Sequence, residues 1–117
     1  MMTITRIDPD DRWSEAVIHN NVIYYTSVPT ELENDAYIQT QSALAEIDKL
    51  LARANSDKLH ILDATLFLVN KSDFAAINKA WDEWVAKGSA PVRCTVQAGL
   101  MKKEYLIEIK IVAAVKS

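Results

Sequence analysis

Two charged residues near the end of the chain, Arg93 and Glu108, have side chains suited to chemistry on a small organic acid. A guanidinium can hold a carboxylate with two parallel hydrogen bonds, a geometry that lysine does not reproduce. A glutamate whose pKa is raised by burial can act as a general base on water. The alternative interpretation is an ordinary Arg93–Glu108 salt bridge, and residue type and spacing leave both open.

Both residues lie on predicted strands, which must position them. Segments 92–98 and 105–115 show the alternation of side chains typical of strands. The intervening segment 99–104 is polar, so we expect the two strands to form a hairpin. If their apolar sides face the helices, Arg93 and Glu108 share the opposite side of the sheet, and Cys94 is a buried, inert thiol. The residues that share the Arg93 side of its strand are Thr95 and Gln97.

The rest of the chain predicts the order β-β-β-α-β-α-β-β. Asn20 and Asn21 tolerate left-handed backbone angles and predict a turn between early strands. Asn34 or Asp35 is expected to cap a first helix, which has an apolar stripe at i, i+3, i+4 and i+7. Ser72 is expected to cap a second helix, and Gly88 to follow its C-terminus. The predicted strands are 3–7, 14–19, 22–26 and 59–69, the last buried on both faces, and the predicted helices are 35–54 and 73–87.

This pattern predicts a single α+β domain over residues 1–117, with a mixed sheet and two helices on one face. Two helices cannot cover both faces, and apolar residues are expected among the polar ones on the open face. Such a face suggests a homo-oligomer, although a solvated face with scattered hydrophobes is the alternative. The apolar residues expected there are Leu106 and Val112, with Ile61 and Phe67 as possible additions.

Composition argues against several classes of function. The formal net charge is -3, with no basic stripe to neutralise phosphates, so we expect no nucleic-acid partner. The longest apolar stretch falls short of the roughly 20 residues that span a bilayer, and residues 1–6 show no apolar signal core, which predicts a cytosolic protein. One cysteine and the two histidines His19 and His60 give no expected disulfide or metal site.

The last two strands resemble the signature of the Rid (YjgF) family, and the helix before them resembles that family's Asp-Phe-x-x-x-Asn segment with two later aromatics. The residues around Trp81 and Arg93 are most similar to those of the short bacterial YoaB-like branch of the family. The helix segment reads Asp73-Phe74, Asn78, Trp81 and Trp84, and the signature reads Pro91-Val92-Arg93-Cys94-Thr95-Val96-Gln97-Ala98-Gly99-Leu100-Met101, then Ile107-Glu108-Ile109.

The resemblance implies a chorismate-mutase-like fold and three subunits with active sites in the clefts between them. It also implies a cofactor-free hydrolase acting on C=N bonds, in which 2-iminobutanoate or 2-iminopropanoate from pyridoxal-phosphate dehydratases is deaminated to the 2-keto acid. By analogy Arg93 binds the substrate carboxylate and Glu108 activates water. Trp81 and Trp84 are expected to be core residues.

Several positions depart from the family pattern and bear on the pocket wall. Family members with imine hydrolysis tend to carry Gly-Gln where this chain has Thr26 and Ser27, and Glu where Gln97 stands. Trp13 or Arg12 is expected to replace a pocket tyrosine, and Tyr24 or Tyr25 is expected to reach the cleft. These departures keep a second interpretation open, a keto-acid-binding protein without turnover. A third, based only on the apolar open face, is an interaction subunit.

Overall fold

The strands and helices occur in the predicted order in the computed structural model, which describes residues 3–117. Residues 1 and 2, part of the segment predicted to lack a signal core, lie outside the described residues. The elements are β1 Ile4–Ile7, β2 Ala16–His19, β3 Val22–Ser27, α1 Ala36–Arg53, a 3-10 turn Lys58–His60, β4 Ile61–Leu68, a 3-10 turn Lys71–Asp73, α2 Phe74–Trp84, β5 Val92–Gln97 and β6 Ile107–Ala114.

Local signals set most of the element boundaries. Asn20 and Asn21 have φ angles of 53° and 62° in the turn between β2 and β3, as predicted. Asp35 caps α1, because its carboxylate accepts a hydrogen bond from the backbone N–H of Ile38. The start of α2 was predicted wrongly: Ser72 lies in the preceding 3-10 turn and provides no cap.

The end of α2 also differs from the prediction. The helix stops at Trp84 rather than Lys87, because Val85 adopts an extended backbone conformation with ψ of 142°. Gly88 has the expected positive φ, 85°, but it lies in the connection to β5 rather than directly after the helix. Its lack of a Cβ atom permits this left-handed backbone.

The strand order in the sheet is β1-β2-β3-β6-β4-β5. β5 pairs parallel with β4 at the edge of the sheet, whereas β6 pairs antiparallel with both β3 and β4. The predicted hairpin between β5 and β6 is therefore wrong. Their connection, residues 98–106, is longer than the roughly two to five residues of hairpin loops, and it carries the chain past β4.

Both helices pack on one face of the sheet, here called the helix face, and leave the other, the open face, uncovered. On β6 the helix face consists of fully buried Ile107, Ile109, Ile111 and Ala113. β4 is buried only on the helix face, which corrects the prediction of burial on both faces. Ile61 belongs to the core rather than to the open face. The core residues contributed by α1 are Ala36, Thr40, Ala43, Leu44, Ile47, Leu50 and Leu51. They include the predicted stripe except Ala54, which is buried but lies just after the end of the helix.

Gln39, a fully buried polar residue of α1, ties two loops to that helix. Its amide nitrogen donates to the carbonyl oxygens of Leu32, at 3.1 Å, and Glu104, at 2.8 Å. Its carbonyl oxygen accepts from the backbone N–H of Leu106 at 2.8 Å. The side chain of Gln39 thereby holds the long connection before β6, together with backbone hydrogen bonds from Ala98 to Leu68 and from Val69 to Leu106 at its two ends.

Gln39→Leu is expected to lower the free energy of unfolding by about 2–4 kcal/mol, because it leaves buried backbone groups without partners. Gln41→Leu, at an exposed position of the same helix, is the matched control and is expected to change stability by less than about 0.5 kcal/mol. Urea unfolding at equal protein concentration measures both. Equal effects of the two substitutions would show that the Gln39 contacts contribute nothing.

Candidate functional site

Arg93 lies on the helix face of the edge strand β5. Its register partner on β4 is Ala64, which is fully buried beneath the helices. Neighbouring residues in register point to the same side of a sheet, so Thr95 and Gln97 share this face with Arg93. The predicted grouping of these three residues is confirmed, but their predicted placement on the open face is wrong.

Two neutral side chains hold the guanidinium of Arg93. Its Nη2 donates to the Oδ1 atom of Asn78, on α2, at 2.6 Å. Nη2 and Nε also donate to the hydroxyl oxygen of Thr95, at 3.0 Å and 3.2 Å. One helix and one strand therefore fix the plane of the guanidinium from two directions.

Aromatic rings of α2 flank the same guanidinium. Its central carbon lies 5.3 Å from the ring centroid of Trp81 and 6.0 Å from that of Phe74, distances within the range of cation–π attraction. Phe74, Asn78 and Trp81 are spaced i, i+4 and i+7, which places them on one side of the helix. Trp81 is also a core residue, as predicted.

The positive charge of Arg93 has no close counter-ion. Among residues 3–117, no carboxylate oxygen lies within 4.0 Å of its guanidinium, so it forms no ion pair there. Partial burial lowers the pKa of Arg93, and the more distant carboxylate of Asp82 opposes that shift. Arginine stays protonated in proteins, so Arg93 is a half-buried cation that has no direct ion pair among residues 3–117. Such a group favours an incoming anion.

Gln97 is less available to a ligand than Arg93 and Thr95, which share its face of β5. Its side chain is exposed, and its amide nitrogen donates to the carbonyl oxygen of Val69 at 3.2 Å, in the connection that follows β4. Ser27, another position that departs from the family pattern, is fully buried and donates to the carbonyl oxygen of Ala43. Its hydroxyl serves the packing of β3 against α1.

Glu108 lies on the open face, opposite to Arg93. Its register partner on β4 is the half-buried Phe67, whereas its neighbours Ile107 and Ile109 are buried under the helices. One strand also separates β6 from β5, which adds about 10 Å between them. The predicted shared face is wrong, and so is the alternative of an Arg93–Glu108 salt bridge within one chain.

Trp13 and Tyr24 are also remote from Arg93 within one chain. Trp13 lies in the loop between β1 and β2, about 20 Å from β5 across the sheet, and is 65% exposed. Tyr24 lies on the open face of β3, opposite to the buried Tyr25, and is 44% exposed. The predicted site residues thus form two groups, Arg93 with Thr95 and Gln97 on the helix face of β5, and Glu108, Tyr24 and Trp13 elsewhere.

The open face exposes several apolar side chains. Val92 and Val96 of β5 are 74% and 38% exposed, and Leu62 of β4 is also exposed. Cys94 lies between the two valines and is exposed, so its prediction as a buried thiol is wrong. The reason is the register of β5, which turns its apolar side away from the helices.

Three residues around Arg93 were missed as site residues by the sequence analysis: Phe74, Asn78 and Trp81. The available signal was their helical spacing, which places an amide and two aromatic rings on one side of α2. Within residues 3–117 no three His, Cys, Asp or Glu side chains are grouped as metal ligands. Neither helix of that range has the length and apolar content of a membrane span.

Comparison with known proteins places this site in a family. The family model described as Endoribonuclease L-PSP matches residues 3–115. The RutC family protein YoaB of Escherichia coli is 63% identical over 114 residues, covering 97% of this chain and 100% of that protein. A RutC family protein of Haemophilus influenzae is 48% identical, covering 96% and 98% of the two chains.

A solved structure of similar architecture is a YjgF family member from Neisseria meningitidis. It has a TM-score of 0.92 and 42% identity, with 98% of this chain and 97% of that chain covered. The match of the family model to nearly the whole chain, the two bacterial relatives and the shared fold agree with the signature around Arg93. The chain therefore belongs to the Endoribonuclease L-PSP family, the YjgF/Rid family that its sequence resembles.

Proposed function

We propose that this protein hydrolyses small 2-imino acids to 2-keto acids and ammonia, with Arg93 binding the substrate carboxylate. The observation that carries this proposal is the uncompensated guanidinium, held by Asn78 and Thr95 and flanked by aromatic rings. A carboxylate placed there gains charge-assisted hydrogen bonds and relieves an unpaired, partly desolvated cation.

The reaction needs few catalytic groups. Water adds to the carbon of the C=N bond, and after proton transfer to nitrogen the C–N bond breaks and releases ammonia. Orientation of the imine and an acid-base group near the attacking water supply the acceleration. In this proposal Glu108 takes the proton from that water, and Tyr24 and Trp13 line the pocket.

A second copy of the chain is required by this arrangement, and we propose a homotrimer in which the sheets pack through their open faces. Arg93 and Glu108 of one chain lie on opposite faces, so one small substrate cannot contact both. Because β5 is an edge strand, its Arg93 is placed to approach a neighbouring copy. The exposed Val92, Val96 and Tyr24 supply apolar surface for such packing.

Adding the purified protein to a pyridoxal-phosphate-dependent threonine dehydratase reaction is expected to raise the rate of ammonia release above the spontaneous rate, in proportion to protein added. The reason is that the dehydratase releases 2-iminobutanoate, which water hydrolyses slowly without an oriented site. The heat-denatured protein is the control. An unchanged rate at saturating protein would contradict the proposed activity.

The alternative is binding of a 2-keto acid without turnover. The observation that favours it is the neutral Gln97, whose amide is engaged with Val69 where family members with imine hydrolysis tend to carry a carboxylate. Calorimetric titration with 2-oxobutanoate separates the two functions. Binding without acceleration of ammonia release would favour the binding protein.

The family description also names an endoribonuclease. The charge of this chain does not favour RNA as a substrate, because a net charge of -3 gives no general attraction to a polyanion. One arginine in a half-buried site suits a small anion better than a phosphate backbone. A small 2-imino acid is therefore the substrate class that we propose.

A further inference from the structure

The side chains that hydrogen-bond to Arg93 do so only through acceptor atoms. A guanidinium has five N–H donors and no acceptor, so Asn78 must present its carbonyl oxygen and Thr95 its hydroxyl oxygen. The contact at 2.6 Å thereby fixes the orientation of the Asn78 amide. The two contacts from Nε and Nη2 use both lone pairs of the Thr95 hydroxyl.

These contacts leave mainly hydrogen-bond donors free to bind a ligand. Within residues 3–117, the Nη1 N–H groups of Arg93, the Asn78 amide N–H groups and the Thr95 hydroxyl hydrogen donate to no protein acceptor. A group that only accepts, such as an ionised carboxylate, matches this set. A neutral amide brings its own N–H groups and matches it less well.

The absence of a charge on Asn78 is as important for ligand binding at Arg93 as the position of its amide oxygen. An aspartate at this position would have nearly the same shape and could accept the same hydrogen bond from Arg93. It would also place a full negative charge against the guanidinium and form an internal ion pair. The carboxylate of Asp82 acts on the charge of Arg93 but forms no ion pair with it.

We propose that Asn78 is a positioning residue that holds Arg93 without neutralising it, and that it thereby makes the site selective for a ligand with an ionised carboxylate. This inference rests on the proposed role of Arg93 in binding the substrate carboxylate. Asn78 sets both the direction of the guanidinium and the charge that remains for the ligand. Trp81 and Phe74 support the guanidinium without changing that charge.

The test compares two substitutions that remove different properties. Asn78→Ala removes the hydrogen bond and leaves the positive charge free, whereas Asn78→Asp keeps the hydrogen bond and cancels the charge. Isothermal titration with 2-oxobutanoate is expected to show more than about tenfold weaker binding for Asn78→Asp and a smaller loss for Asn78→Ala. The melting temperature of Asn78→Asp is expected to equal or exceed that of the wild type. The neutral 2-oxobutanamide is expected to bind neither the wild type nor the two variants.

A merely structural role for Asn78 predicts the reverse order, since aspartate preserves the packing and alanine does not. Affinity in Asn78→Asp equal to that of the wild type, or a larger loss in Asn78→Ala, would overturn the inference. So would the absence of 2-oxobutanoate binding by the wild type. Tight binding with the expected order but no imine hydrolysis would remove the proposed function and leave the role of Asn78 supported.

Discussion

Arg93→Ala is expected to lower kcat/KM for imine hydrolysis by on the order of 100- to 1000-fold, because the substrate loses its only charge-assisted anchor and its orientation. The fold is expected to lose about 1 kcal/mol or less, since the site is half-buried and water can reach Asn78 and Thr95 after the change. The measurement is ammonia release in the coupled dehydratase reaction, with unfolding followed in parallel.

Two further substitutions sharpen this prediction. Arg93→Lys keeps the positive charge but loses the planar fork that contacts Asn78 and Thr95 together, so we expect a loss of about tenfold or more. Arg53→Ala removes an exposed arginine that pairs with Asp8, and it serves as the matched control with unchanged activity. Wild-type activity in Arg93→Ala would exclude Arg93 from the substrate site.

The order of elements could be predicted from local patterns. The apolar stripe of α1 and its cap at Asp35 depend on contacts within a few residues, and so does the turn at Asn20 and Asn21. The signature around Arg93 likewise identified the residue that the structure presents as an unpaired cation. Local chemistry determined the helix cap and the turn, whereas Arg93 was identified by its family resemblance, and its surroundings depend on the packing of α2 against β5.

Local patterns could not predict which strand pairs with β5 or which side of β5 faces the helices. Alternation shows which residues share a side of a strand, but not which side faces the helices. Turning apolar side chains inward would have placed Val92 and Val96 in the core. At the sheet edge they face outward instead, and a polar Arg93 lies beneath α2. A surface that needs a second copy can break the usual rule of apolar residues inside.

The separation of Arg93 from Glu108 is the structural feature that most strongly constrains the proposed active site. Within one chain the two residues occupy different faces and different strands, yet the proposed chemistry requires both at one substrate. The proposed activity therefore requires clefts between copies, each combining Arg93 of one subunit with Glu108 of another. Loss of either residue should disable every site in a uniform oligomer.

Co-expression of Arg93→Ala and Glu108→Gln chains, carrying different affinity tags, tests this directly. Each variant alone is expected to be nearly inactive. Every trimer that carries both tags has an intact Arg93 opposite an intact Glu108 in one of its three clefts, so the doubly purified sample should recover about a third of wild-type activity. Sedimentation of the doubly purified sample verifies that both chains share one assembly.

The matched control mixes wild-type chains with chains carrying both substitutions. In doubly purified trimers from equal amounts of the two chains, sites built from two copies predict about a sixth of wild-type activity, whereas sites within single chains predict about half. Recovery to about a third with the two single variants, together with about a sixth in the control, is expected if each cleft combines Arg93 of one copy with Glu108 of another. Mixed oligomers no more active than the single variants would contradict it.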